Sequence, residues 1–316
     1  MRLTSRLLIG LLLVCLLAVT RAADAAAPPD QGGRPSLPSA SLELNLLSFN
    51  IRYANPGDAE HIWENRREHA VEIMGQRGYD VVGLQEVLSS QLDFIIERLD
   101  EYAHVGVGRD DGHQAGEYSP IFFRKDRFAL LESGTFWFCD EPSLPACKSY
   151  GNSIPRISTW ARLLDLASQK PFLVYSLHMD HVSSTSRLSS SQQLARTVSL
   201  MNGERLPVIL LGDFNNQSES SPEVLALQRE NFIDTFRVVN PLPSPGETFH
   251  AFSGMAMRKF DYVFVQADSP EAAWQVTVKD ANINREYRPD PTLGAIFPSD
   301  HFPIWAQVAF DYPESE

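Results

Sequence analysis

"VILLGDFNNQ", residues Val208 to Gln217, opens on four apolar residues and closes on polar ones. The apolar run has the length and composition of a strand buried on both faces. Gly212, Asp213 and Asn215 have an ordinary reading as turn residues at a strand exit. They also have a chemical reading, because Asp213 and Asn215 alternate to one side of an extended chain and would face one ligand. The other strand ends of the chain decide between the two.

Seven further apolar runs bounded by turn signals read as strands, at 44–51, 80–87, 120–125, 159–166, 171–180, 260–266 and 302–310. Helical patterning falls between them. It covers Ile62 to Gln76, the stretch "SQLDFIIERL" with Leu92, Ile95, Ile96 and Leu99 on one face, and residues 184–203 ending at Gly203. In "SSPEVLALQRE", Ser221 is placed to cap a helix with Pro222 at its first position. Runs 159–166 and 171–178 are close enough for a hairpin, and few pairs leave room for a helical crossover. The expected fold is therefore one α/β domain, mixed or mostly antiparallel, over residues 43–311, followed by a short tail at 312–316.

The chain of 316 residues is 43% hydrophobic and 21% charged, as in ordinary globular proteins. Its first segment stands apart. Arg2 and Arg6 precede an apolar stretch from Leu7 to Val19, and Ala22 to Ala25 offer cleavage positions. Residues 1–25 read as a secretory signal peptide with a core short for a bilayer span, and 26–42 as a Pro/Gly/Ser-rich linker. An exported protein, periplasmic or extracellular, is expected, monomeric and without a membrane span after processing. Loss of Arg2, Arg6, Arg21 and Asp24 takes the net charge from −13 to −15. Such a chain does not hold nucleic acid by bulk electrostatics. Cys139 and Cys147, eight apart in a Pro-containing loop, read as a disulfide, being too few for a structural zinc site.

Nearly every strand ends in residues with chemistry: Asn50, then Gln85 and Glu86, then His178, Asp180 and His181, then Asp213 and Asn215, then Asp261, then Asp300 and His301. Unrelated turns have no reason to choose only carboxylates, amides and imidazoles. Glu86 and Asp300, with Asp213 as a third candidate, are hard oxygen ligands suited to Mg²⁺ or Mn²⁺. The histidines lack the helical spacing of common zinc sites. Imidazole and amide donors beside such a metal suit phosphoester hydrolysis.

Taken in order, "LLSFNIR", "VVGLQEV", "SLHMDH", "LGDFN", "FDYVFV" and "PSDHFP" resemble the endonuclease/exonuclease/phosphatase superfamily, the deoxyribonuclease I-like proteins. The motifs span residues 44–310. The resemblance implies a four-layer α/β sandwich, two central sheets flanked by helices, with the active site at one end. It implies that Glu86 is the principal metal ligand, with Asn50 beside metal and phosphate and Asp300 completing the metal region. Asp213 would orient the attacking water, and Asn215 and His178 would contact phosphate. His301, oriented by Asp261, would stabilise the transition state or move a proton. Whether Asp213 or His301 is the general base stays open. Gly212 would let the backbone bend beneath the reacting group.

Arg156, just before a strand, is a candidate phosphate clamp, and Tyr118 a candidate cleft residue. The segment "ETFHAFSG" resembles one in bacterial members and would place His250 and Phe252 near the substrate pocket. Nuclease members carry an acidic residue two positions after the first Asn, where this chain has Arg52. The expected activity is divalent-metal-dependent hydrolysis of a phosphorylated substrate. A small phosphorylated sugar, inositol or nucleotide is preferred over polymeric DNA or RNA, since the loops are not strongly basic. A nuclease and a catalytically silent binding protein of the same fold are the alternatives.

Overall fold

The computed structural model describes residues 41–267 and 272–312. The expected signal peptide, the linker up to residue 40 and tail residues 313–316 lie outside the described residues. The first strands are β1 (Ser41–Asn50), β2 (Val81–Gln85), β3 (Tyr102–Val105), β4 (Ile121–Arg124), β5 (Phe128–Trp137), β6 (Ile157–Asp165) and β7 (Pro171–His178). They continue with β8 (Val208–Asp213), β9 (Phe232–Asp234), β10 (Asp261–Gln266), β11 (Gln275–Ile283), a small hairpin of β12 (Arg288–Asp290) and β13 (Gly294–Ile296), and β14 (Ile304–Asp311). The helices are α1 (Trp63–Gly75), α2 (Ser89–Ile96), α3 (Ser184–Met201), α4 (Pro222–Arg229) and α5 (Thr235–Val239).

Two six-stranded sheets form, ordered β11-β14-β1-β2-β4-β3 and β5-β6-β7-β8-β10-β9. Each has one parallel pair, β1/β2 and β7/β8, among otherwise antiparallel neighbours. The expected hairpin is β6/β7. Alternation assigns the faces: Leu42, Leu44 and Leu46 of β1 and Ile209 and Leu211 of β8 fill the core between the sheets. Leu47 and Phe49 point the other way, onto α1 and α2. Val208 and Leu210 do the same toward α3 and α4. The result is the four-layer sandwich that the resemblance implies.

The sheets approach closely at their centre, where a Cβ on Gly83 would lie 2.7 Å from Leu211 Cβ. Gly212 is needed for a different reason from the one expected. It sits in regular strand, and an added Cβ would stand 2.7 Å from Leu177 O and 2.8 Å from Leu177 Cγ. Close approach of β7, and not a backbone bend under the substrate, excludes a side chain there. Gly212→Ala is expected to cost about 2 kcal/mol of stability through overpacking. Urea unfolding measures this, and a loss below about 0.5 kcal/mol would contradict it.

Six strands are absent from the sequence reading: β3, β5, β9, β11 and the two of the β12/β13 hairpin. The first four are sheet edges, and β5 exposes Leu130 and Leu131 while carrying Glu132, Ser133 and Gly134. Edge strands do not need the continuous apolar run of a buried one. Ser221 precedes α4 as expected, but its Oγ accepts from Ser218 N (2.9 Å) and not from the helix. Cys139 and Cys147 are joined, with Cα atoms 5.9 Å apart. No helix among the described residues is long and apolar enough to cross a membrane.

Candidate active site

Strand register gathers the polar ends at one edge of the sandwich. Asn50 is the last residue of β1 and pairs with Gln85 of the parallel β2, so Glu86 emerges beside it. His178 and Asp213 are register partners at the ends of the parallel pair β7/β8. Asp261 opens the antiparallel β10 directly opposite Asp213. Residues as far apart in sequence as Arg52 and His301 thus face one cleft of about 720 Å³, a size typical of small-ligand sites. Glu86, Glu117, Arg156, His178, Asp213, Asn215, Asp300 and His301 all line it.

Asn50 is fully buried beneath this surface. Its Nδ2 donates to Glu86 Oε1 (3.1 Å) and to Asp213 Oδ2 (2.9 Å), and its Oδ1 accepts from Arg52 N (2.9 Å). It therefore braces two carboxylates from below; both its amide hydrogens are spent, so it does not offer the phosphate contact expected of it. Glu86 adopts a left-handed φ of 60° and its Oε2 accepts from Tyr53 N (3.1 Å). Asp213 Oδ1 accepts from Asn215 N (2.9 Å). Burial, then the neighbouring Asp261 charge, pushes the Asp213 carboxyl up to about 7.

His301 Nδ1 lies 2.8 Å from Asp261 Oδ2, and its Nε2 lies 3.9 Å from Asp213 Oδ2. Burial opposes a charge on the ring, but Asp261, Asp213 and Asp300 outweigh it and raise the imidazole to about 10. His178 is the opposite case. Burial, then the charges of Arg156 and Arg109, hold it well below the ordinary histidine range, so the ring is neutral. Its Nε2 accepts from Asn215 Nδ2 (2.9 Å), which places the proton on Nδ1. That Nδ1 has no hydrogen-bond partner among the described residues. Asn215 Nδ2 also donates to Met179 O (3.1 Å). The amide expected to donate to phosphate therefore holds His178 in its tautomer.

Arg156 is 2% exposed. Its Nη2 donates to His181 Nδ1 (2.8 Å), while Nε and Nη1 have no hydrogen-bond partner among the described residues. Burial, then the charge of Arg109, lowers its basicity. Tyr118, expected in the cleft, is instead a core residue. Its ring packs with Val87 and Phe122, its N–H donates to Val87 O (2.7 Å) and its hydroxyl to His113 O (2.9 Å). His250 and Phe252 do not line the cleft either; His250 is buried and stacked on Phe302 at 4.0 Å, and Phe252 stacks on His61 at 4.3 Å.

Several cleft residues carry no sequence signal. Glu117 pairs bidentately with Arg109 (2.7 Å twice), and both come from the irregular segment between β3 and β4. Phe249 and Phe260 stack at 5.2 Å beside His301. Arg258 bonds Gln217 at the mouth. Only the strand-end position distinguished the residues found; Arg109, Glu117, Phe249 and Arg258 lie in loops and lack it, while Phe260 borders β10 without a chemistry-bearing side chain to mark it.

Among the described residues, Glu86–His178–Asp213 and Asp213–Asp261–His301 are grouped closely enough to hold a metal, and both share Asp213. In the second group, Asp261 and a protonated His301 satisfy each other as an ion pair. In the first, Glu86 and Asp213 offer carboxylate oxygens that fit a hard divalent cation keeping much of its water. Asp300 lines the same cleft, and burial, above all, pushes its carboxyl up.

A model of the Endonuclease/Exonuclease/phosphatase family matches residues 47–301. The chain belongs to that family. A solved family protein from Bacteroides thetaiotaomicron is 30% identical, with a TM-score of 0.78, covering 86% of this chain and 99% of that one. A mannosyl-6-phosphatase of the same organism is also 30% identical, with a TM-score of 0.76 over 84% of this chain and 99% of that one. An uncharacterised protein of Acanthamoeba polyphaga mimivirus is 23% identical over 190 residues, 49% of this chain. The match spans only 28% of that viral relative's length. The two large sheets and their flanking helices are this family's fold, and the family resemblance drawn from the six motifs holds.

Proposed function

We propose that this family member is an exported, divalent-cation-dependent hydrolase of small phosphorylated sugars. The observation that carries the reading is one cleft holding both halves of the chemistry. Two buried donors without hydrogen-bond partners among the described residues, His178 Nδ1 and Arg156 Nη1, belong to side chains that line the same cleft as Glu86, Asp213 and Asp300, while Arg156 Nε lies 3.8 Å from Asp180 Oδ2. Buried donors without partners are costly unless a ligand satisfies them, and phosphoryl oxygens do.

A divalent cation held by Glu86, with Asp213 or Asp300, would polarise a phosphoryl oxygen as a Lewis acid. The side chains supply the rest. Arg156 and the neutral His178 donate to phosphoryl oxygens and orient the group. Asp213, fixed by Asn50 and Asn215, takes the proton from the attacking water as the water oxygen bonds to phosphorus. His301, kept protonated by Asp261, gives its Nε2 proton to the leaving oxygen as the P–O bond breaks. The products are an alcohol and phosphate, and Asp213 assumes the role of base that the sequence left open.

The sugar phosphate is supported by the mannosyl-6-phosphatase among the similar structures, the cleft volume of about 720 Å³ and the acidity of the chain. Export is supported by the Leu7–Val19 run behind Arg2 and Arg6 and by the closed disulfide. A substrate panel with Mg²⁺ or Mn²⁺ tests the reading, using hexose 6-phosphates, inositol phosphates, nucleotides, bis-p-nitrophenyl phosphate, plasmid and RNA. Phosphate release from a hexose phosphate, abolished by EDTA, is expected. Absence of any phosphoester cleavage would overturn it, and cleavage of plasmid or RNA alone would replace the sugar phosphatase by a nuclease.

A further inference from the structure

We propose that Glu117 is a substrate-binding residue that accepts a hydrogen bond from a hydroxyl of the bound ligand, carried either on phosphorus or on carbon. The assignment rests on the phosphoester reading above and names the donor that the substrate must bring.

Glu117 comes from the irregular segment between β3 and β4 and lines the cleft, with its side chain 17% exposed. Its Oε2 accepts from Arg109 Nη1 and its Oε1 from Arg109 Nη2, at 2.7 Å each. A carboxylate has about four acceptor sites, so this fork leaves roughly two unfilled. Burial, above all, pushes the carboxyl up, and the charge of Arg109 opposes the shift. A guanidinium closing on both oxygens favours the carboxylate form, which accepts and does not donate.

Main-chain bonds already close the segment that carries the pair. Arg109 N donates to Glu117 O (3.1 Å), Asp110 N to Ala115 O (3.0 Å) and Gly108 N to His113 O (3.0 Å). The loop therefore has a cause of its shape besides the ion pair.

Contacts run in order from His301 through Asp213 and His178 to Glu117. His301 Nε2 lies 3.9 Å from Asp213 Oδ2, which lies 3.5 Å from His178 Nε2, and His178 Nδ1 lies 3.9 Å from Glu117 Oε2. The last distance is too long for a hydrogen bond, so the imidazole does not fill the open acceptor sites. Glu117 thus stands beside His178, the proposed phosphate donor, and away from His301. The charges that act on it most are those of Arg109, Glu86 and Arg156. Among the described residues it belongs to neither group placed to hold a metal.

A phosphoryl group brings only acceptors unless one oxygen carries a proton. A bare phosphoryl oxygen beside Glu117 would set two acceptors and two negative charges against each other where little water remains. A hydroxyl removes the conflict, because it donates to the carboxylate while its oxygen still accepts from neighbouring donors. A phosphodiester has no hydroxyl on phosphorus. A monoester can carry one, and a sugar carries others on carbon.

Isothermal titration calorimetry of the full-length protein with Mg²⁺, in mildly alkaline buffer, tests the role with four ligands. Inorganic phosphate and sulfate are both dianions there, and only phosphate carries a hydroxyl. Glucose 6-sulfate and methyl sulfate are both monoanions, and only the first has hydroxyls on carbon. In the wild type at least one hydroxylated ligand should bind about tenfold or more tightly than its partner, and Glu117→Gln should remove that preference. The pair that shows it identifies the source of the hydroxyl. If circular dichroism shows Glu117→Gln to be unfolded, Arg109→Met/Glu117→Leu, which removes both charges, must lose the same preference. No preference in the wild type, or one that survives in a folded variant, would overturn the role. So would a tenfold loss of Mn²⁺ affinity in Glu117→Gln, which would make Glu117 a metal ligand. Phosphate release in the substrate panel decides the hydrolase reading separately, whichever way the calorimetry falls.

Discussion

His301→Gln is expected to lower kcat about 10³-fold, the range for losing a positioned proton donor that also faces developing charge. The ring occupies a buried position between Asp261 and Asp213. Glutamine retains the size and one amide donor but carries no transferable proton and no charge. Asp213→Asn should cost at least a similar factor, because an amide cannot take a proton from water and its single oxygen can accept from only one of Asn50 and Asn215. The wild-type pH profile follows from the same pair. Activity rises as pH passes the Asp213 value of about 7 from below, since its ionised form is the base. It falls toward about 10 as His301 loses its proton. A cation beside Asp213 favours the carboxylate and moves the acid limb lower. His301→Gln should abolish the alkaline limb. Either variant within tenfold of wild type, while still folded, would remove that residue from the proposed chemistry.

Arg187→Met is expected to destabilise the protein by about 3–5 kcal/mol, the usual cost of stranding one partner of a buried ion pair. Arg187 Nε donates to Glu223 Oε1 (2.9 Å), and both side chains are 2% exposed. Nη1 donates to Asp180 O (3.0 Å), so the same side chain ties α3 to α4 and to the loop that follows His178. Removing it leaves Glu223 charged, buried and unpaired. The double variant Arg187→Met/Glu223→Leu is expected to regain most of the loss, since two apolar side chains can replace the pair. Urea unfolding of the two proteins decides the matter. A single variant within 1 kcal/mol of wild type, or a double variant no better than the single, would mean that Glu223 finds water or another donor.

The candidate residues that gather in the cleft share one property: each lies at or beside the end of a largely buried strand, with Asn50, His178 and Asp213 closing theirs, Asp261 opening its own, and Asp300 and His301 just before β14. Continuous apolar runs such as Val208–Leu211 are hard to mistake, and the polar residues that follow them have few structural duties. The edge strand β5 carries mixed polarity, and Arg109, Glu117 and Phe249 lie in irregular segments where no periodicity applies. Tyr118 was misplaced because a tyrosine beside a strand looks the same whether its ring turns to a cleft or to a helix. Here Val87 and His113 capture its backbone and hydroxyl.

The sequence alone therefore determined which strands would be central, which chemistry would collect at their ends and that two nearby cysteines could pair. These are local properties, set by hydrophobic pattern, turn chemistry and spacing. Only the tertiary structure decided who partners whom. It turned Asn50 into a bridge between Glu86 and Asp213, 163 positions away from the latter. It made Asn215 the keeper of the His178 tautomer, and gave His301 its charge through Asp261. Those roles depend on burial and on the register between strands distant in the chain, and neither quantity is written in any short stretch of residues.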